Sequence, residues 1–208
     1  MSFANFLRAY EATPPERLDG YVPSDFEGLS AEELGRARAM LLERALRGDT
    51  IDLDGLRLAG DAGTVSRLIA AEGLPTSFGS RFDVVRRETV FALTGDHRHL
   101  AGLFAWIDDG APETRLFAAE ALARHALPAE LAAPIVARLA GGLHEAVAIP
   151  LVKAWLATEG EPVIGLAAFQ RRLPLVRAIV SATPSARPGL MAELVSRSPS
   201  AVRQSLRP

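Results

Sequence analysis

The chain contains no cysteine, a single lysine and few aromatic residues. Without cysteine there is no disulfide, no thiolate zinc site and no cysteine nucleophile. The lysine is Lys153, alone among 23 basic residues, so positive charge is carried by arginine. Aromatics make up 6% of the chain against 49% apolar residues. Alanine and leucine do most of the filling, which suits closely packed helices better than sheets. The most apolar run, residues 146–157, is too short to span a bilayer and includes Lys153. The opening residues lack a basic stretch followed by an apolar core, so no secretory signal is read there. No segment alternates like a strand and closes with a hairpin turn. No GxSxG, P-loop or GxGxxG pattern occurs. These absences predict a soluble cytoplasmic protein with no membrane association, no cofactor, no metal and no small-molecule substrate.

What is present is a repeat. Residues 58–69 read LAGDAGTVSRLI and residues 93–104 read LTGDHRHLAGLF. Both run Leu-x-Gly-Asp, then three residues, then an apolar residue (Val65, Leu100), then two more apolar positions (Leu68 and Ile69, Leu103 and Phe104). The offset of 35 residues suits stacked helical units, each too small to bury its own apolar face. A second echo, Arg86 to Ala92-Leu93 against Arg115 to Ala121-Leu122, has an offset of 29. Units of that size hold two helices and two turns.

Local signals place the helices. Ser30 and Glu33 form a capping box, with Leu29 and Leu34 at the staple positions. Leu34, Ala37, Leu41 and Ala45 follow at helical spacing, and Glu43 and Arg47 form an i,i+4 pair. Gly48 fits the C′ position. A short segment is expected at 51–59, then helices at 62–72, 82–94, 97–108 and 112–126, the last with Pro112 at its first position. In that helix Glu113, Glu120 and Arg124 line one side, while Leu116, Ala119, Ala123 and Leu127 line another. Helices are also expected at 129–140, 145–158 and 162–172, with Pro134 and Pro150 near second turns. Pro174, Pro184, Pro188 and Pro199 predict only short helices after that. Thr13-Pro14-Pro15-Glu16 reads as a further helix start. The chain is thus read as a single domain over 1–208. It has an irregular lead-in at 1–29, helix pairs at 30–160 and short proline-broken helices at 161–208.

Helix pairs with a Gly-Asp turn, an arginine in the first helix and an Ala-Leu near its end resemble HEAT-like repeats. The stretch Leu58–Leu139 carries the likeness, and Pro150 matches the proline that often bends the first helix of such a pair. The resemblance implies an all-α fold, a short right-handed α-solenoid. The lead-in Tyr21-Val22-Pro23-Ser24-Asp25-Phe26, the capped helix Leu29–Arg47 and the Gly-Asp turns after it also look like bacterial HEAT-like immunity proteins. That likeness implies a non-catalytic module that neutralises a cognate toxin domain by direct binding.

The chemistry-bearing residues do not assemble into a reaction centre in sequence. His97 and His99 are two apart and diverge on a helix, while His125 and His144 are isolated. His144-Glu145 begins an HExxH motif, but residue 148 is alanine, so the second zinc ligand is missing. HEAT-like hydroxylases that resemble deoxyhypusine hydroxylase need several His-Glu pairs, and this chain has one. Asp108-Asp109 reads as a turn. Trp106 and Trp155 sit at apolar helical spacing and are expected in the core. HEAT-like DNA glycosylases offer an alternative, in which arginines after residue 165 form a basic nucleic-acid surface. A plain scaffold subunit is a third reading.

Charge is uneven. Residues 1–75 hold 13 acidic and 8 basic side chains, a net of −5, while residues 76–208 hold 12 and 15, a net of +3. This polarity motivates an acidic surface formed by Asp49, Asp52, Asp54 and Asp61 that meets a basic protein partner. The rival reading is that Asp49 and Asp61, each following a glycine, only cap turns.

Overall fold

The computed structural model describes residues 3–12, 20–71, 79–158, 166–183 and 185–196. Among these residues the regular structure is entirely helical. None of these helices is long and apolar enough to cross a membrane. The chain divides into two compact units, Met1–Leu100 and Ala101–Pro208.

The first unit opens with a helix, α1 (Phe3–Glu11), where an irregular lead-in was expected. The signal for it was present: Phe3, Phe6, Leu7 and Tyr10 fall at helical spacing. Phe6 is fully buried. Its ring lies 6.3 Å from that of Tyr21 and 5.8 Å from that of Phe26, which folds the 3-10 turn Pro23–Asp25 back onto α1. Thr13–Glu16 lies outside the described residues.

Helix α2 (Ala31–Ala45) starts as its sequence predicts. The Glu33 amide donates to Ser30 Oγ at 3.2 Å, and the Ser30 amide donates to Glu33 Oε2 at 2.8 Å. That second bond holds the Glu33 carboxyl below its usual range. Ala37, Leu41 and Ala45 are fully buried, and Glu43 pairs with Arg47. The helix stops at Ala45 with Leu46 as its cap, so Gly48 falls one residue past the expected C′ position. Ser30→Ala should lower the stability of the protein by about 1 kcal/mol, because one amide of the first turn loses its acceptor. Thermal melting would check this, and an unchanged midpoint would show that the cap contributes nothing.

Three helices follow: α3 (Thr50–Ala59), α4 (Ala62–Ala70) and α5 (Gly79–Thr94), the last starting three residues earlier than expected. α3 packs against α2 and α5, and α4 against α5. Arg57 of α3 ties to α5, with Nε donating to Thr89 Oγ1 at 3.1 Å and Nη2 lying 3.6 Å from the buried Glu88 carboxylate.

The expected helix at 97–108 is two pieces, α6 (Arg98–Ala101) and α7 (Leu103–Asp109), interrupted at Gly102. Glycine is a poor helix former, so the break falls there. In the second unit α8 (Pro112–Ala123) has its proline at N1, as predicted. A 3-10 turn (Ala129–Leu131) leads into α9 (Ala132–Gly141), followed by α10 (Glu145–Thr158), α11 (Leu166–Ser181) and α12 (Arg187–Ser196). α8 packs on α7 and α10, α9 on α10 and α12, and α11 on α10.

Two expectations are corrected here, the first only in part. Ala119 and Leu127 of the grouped apolar positions are buried, but Leu116 and Ala123 are only half-buried, and the covered face of α8 also takes in Thr114, Ala118, Ala121 and Leu122. Packing on two neighbours covers a face other than the single stripe that apolar spacing alone suggests. Pro174 does not break the chain but lies inside the 16-residue α11. An interior proline costs a helix roughly 3 kcal/mol, which tertiary packing can exceed. Pro188 is the second residue of α12, where a missing N–H is harmless. Pro199 and Pro184 lie outside the described residues.

The echo between Arg86 and Arg115 has a structural meaning. Arg86 Nη1 donates to the Leu68 carbonyl in the last turn of α4 at 3.0 Å. Arg115 donates from Nε to the Gly110 carbonyl at 2.8 Å and from Nη2 to the Asp108 carbonyl at 2.6 Å, at the end of α7. Each arginine therefore satisfies carbonyls that the end of the preceding helix leaves without intrahelical partners.

Candidate partner-binding surface

The four aspartates of the expected acidic surface sit on α3 and at the entries to α3 and α4. Asp49 is the N-cap of α3, accepting from the amides of Ile51 at 3.0 Å and Asp52 at 3.3 Å. Asp61 is the N-cap of α4, accepting from the Thr64 amide at 2.9 Å, which holds its carboxyl below the ordinary range. Asp96, in the second copy of the repeat, accepts from the Arg98 amide at 2.9 Å. The Arg98 side chain binds the same carboxylate and holds its pKa down to about 2. The Gly-Asp steps are thus a recurring capping device. Their glycines differ, however. Gly95 has φ +70°, while Gly60 is extended at φ −65° and ψ 164°. At Gly60 it is closeness that excludes a side chain, since a Cβ would come within 2.8 Å of Leu93.

Asp52 corrects the acidic-surface expectation outright, because it is fully buried. Its Oδ1 accepts from the Tyr21 hydroxyl at 2.7 Å and its Oδ2 lies 2.9 Å from Arg44 Nε. The Tyr21 ring reaches this position across Gly55, where a Cβ would come within 2.8 Å of it. Arg44 also donates to the Tyr10 carbonyl at 2.7 Å and stacks 4.0 Å over the Tyr10 ring. The signal for the burial was in the register. Asp52 shares a helical stripe with Leu56 and Ala59, and both of those are core.

Asp54 and Asp61 remain half-exposed. Both are ion-paired, Asp54 with Arg57 at 3.3 Å and Asp61 with Arg38 at 2.9 Å. Asp49 lies 3.5 Å from Arg44. The field here is therefore weaker than the linear charge count suggests. Two apolar residues on these same helices are exposed, Leu58 on α3 at 45% and Ile69 near the end of α4 at 40%. Leu58 follows Asp54 by one helical turn on the same face. At the equivalent positions of the second repeat copy, Leu93 is half-buried against Gly60 and Phe104 is buried.

The remaining candidates are structural. Asp108 forms a two-point pair with Arg138, with Nε to Oδ1 at 2.8 Å. Trp155 is core, while Trp106 is half-buried. His97 packs 5.0 Å from the Phe91 ring, and His144 Nδ1 accepts from the Ala146 amide at 3.3 Å. Among the described residues no group of three or more His, Asp or Glu side chains is placed to hold a metal ion. Comparison of the chain with protein-family models, curated proteins and solved structures gives no match.

Proposed function

We propose that the protein is a non-catalytic binding module, a short right-handed solenoid of HEAT-like helix pairs, which acts as an immunity protein by covering a toxin domain. The observation that supports this is the exposure of Leu58 and Ile69, whose repeat counterparts Leu93 and Phe104 are covered. In a stacked helical array the apolar face of each unit is normally covered by its neighbour. Leu58 lies one turn from Asp54 on α3, and Ile69 lies on α4, the helix that Asp61 caps, so both helices carry an exposed apolar residue and a carboxylate. Such a surface suits a partner with a basic rim. Apolar anchors set residence time, and the charged edge sets association rate and salt dependence. Asp52 has no part in this contact, since its carboxylate is consumed inside the fold.

The partner to test is the polypeptide encoded immediately upstream of this gene. Leu58→Glu combined with Ile69→Glu should weaken the complex by about tenfold or more, about 1.4 kcal/mol. Asp54→Lys should weaken it more at low than at high salt. Unchanged affinity in both folded variants would remove this face from consideration. Salt-sensitive binding to duplex DNA in place of a protein complex would favour the glycosylase-like reading.

A further inference from the structure

A second surface lies wholly within the second unit. Helices α8 and α10 run side by side in the same direction. Leu116 and Ala146 border a depression of about 490 Å³ near the start of both helices and a second of about 440 Å³ further along. At the second depression Glu120 and Arg124 of α8 stand opposite Ile149 and Lys153 of α10. The two depressions together make one shallow groove along the helix pair. Leu116 and Ile149 are half-buried in it, and Ala146 is exposed.

Glu113 and Arg115 line the first part of this groove, with the exposed Glu145 flanking it, and Glu120, Arg124 and Lys153 line the second. The α8 row reads Glu113, Leu116, Glu120, Arg124, at spacings of three or four residues, and the α10 row reads Glu145, Ile149, Lys153. Each row begins with an acid and ends with a base. At 1.5 Å per residue the two rows are about 16 Å and about 12 Å long, so the ends are electrostatically distinct. A two-fold axis lying in the plane of such a face, perpendicular to the helices, turns the second copy antiparallel and sets each helix against its own copy. Glu113 and Glu145 of each copy then meet Arg124 and Lys153 of the other, and the two Ile149 side chains meet at the middle of the α10 rows. This is the self-complementarity an isologous contact requires, with every interaction made twice. A partner with a different face would need its own complementary order of charge, whereas this face already carries its complement. The small Ala123 and Ala146 let the facing helices approach closely.

We propose that the α8–α10 face pairs two copies of this chain into an isologous dimer. It uses none of Leu58, Ile69, Asp54 or Asp61, so it stands or falls separately from the proposed partner surface of the first unit. The test is the oligomeric state of the full chain by sedimentation equilibrium. One variant reverses the acidic end (Glu113→Arg with Glu145→Arg), and the other reverses the basic end (Arg124→Glu with Lys153→Glu). The wild type should be dimeric. Each variant alone should dissociate about tenfold or more readily, and an equimolar mixture of the two should restore a dimer containing one of each. Restoration follows because every reversed end then meets a reversed end of opposite sign. Ile149→Arg should also dissociate the dimer while leaving the end charges intact, and it serves if either reversal variant fails to fold. A wild type that stays monomeric up to about 100 µM overturns the proposal, since a standard-sized specific interface would associate there. So does a dimer indifferent to Ile149→Arg, or a mixture that stays monomeric.

Discussion

Replacing Asp52 by alanine is expected to lower the stability of the protein by about 3 kcal/mol, the characteristic loss when one partner of a buried pair is removed. Two groups are stranded at once. The Tyr21 hydroxyl is held in a buried site with Asp52 Oδ1 as its acceptor, and Arg44 loses the carboxylate that its Nε faces. Asp49 remains near Arg44, but at 3.5 Å and as part of a helix cap. Asp52→Asn should cost less than Asp52→Ala, because an amide oxygen still accepts from Tyr21. Tyr21→Phe should cost about 1.5–3 kcal/mol, the loss of one hydrogen bond to a charged acceptor. In a double-mutant cycle, Tyr21→Phe should add little once Asp52 is alanine, because both changes disrupt the same bond. The measurement is urea-induced unfolding, read as a shift in midpoint at constant slope. Additive losses, or a loss below about 1 kcal/mol for Asp52→Ala, would show that the network is incidental to stability.

Arg86→Ala is expected to be at least as damaging, at about 3–5 kcal/mol. Arg86 is 1% exposed and its guanidinium is fully engaged. Nε donates to Asp83 Oδ1 at 3.0 Å, Nη2 pairs with the same oxygen, and Nη1 caps the Leu68 carbonyl. Alanine leaves a large cavity, an uncapped helix end and an Asp83 carboxylate that keeps Arg87 at 2.7 Å but loses Arg86. Arg86→Met should be milder, since it fills the volume while losing the charge and the cap. Asp83→Asn should cost less than Arg86→Ala, because the Leu68 contact survives. If hydrogen exchange in α4 were no faster in Arg86→Ala than in the wild type, the capping role of Arg86 would be wrong.

Local chemistry was legible in the sequence only in part: the i,i+3 and i,i+4 pairs Asp54 with Arg57 and Asp83 with Arg86 were not read. The Ser30–Glu33 capping box, Pro112 at the head of α8 and the Glu43–Arg47 pair were. Their outcome depends on backbone geometry that a short stretch of chain sets for itself. The repeat was legible too, as was the paired arginine signal, although the carbonyls that Arg86 and Arg115 reach were not. The register of α3 held one further clue, since Asp52 sits on the stripe of Leu56 and Ala59. Its charge, read as a mark of the surface, concealed that.

The composition, apolar spacing and cap signals by themselves determined that this chain is helical and where most of its helices begin. Only tertiary packing decided which apolar faces are covered. Leu58 and Leu93 carry the same local pattern, yet one is exposed and the other rests on Gly60. The covered face of α8 takes in Thr114 and Ala118 while Leu116 is only half-covered, and Pro174 lies within α11. The burial of Asp52 depends on Tyr21 and Arg44, which approach it from outside its own helix. A contact between residues distant in the chain carries no periodic signal in either segment, so neither stretch of sequence announces it alone.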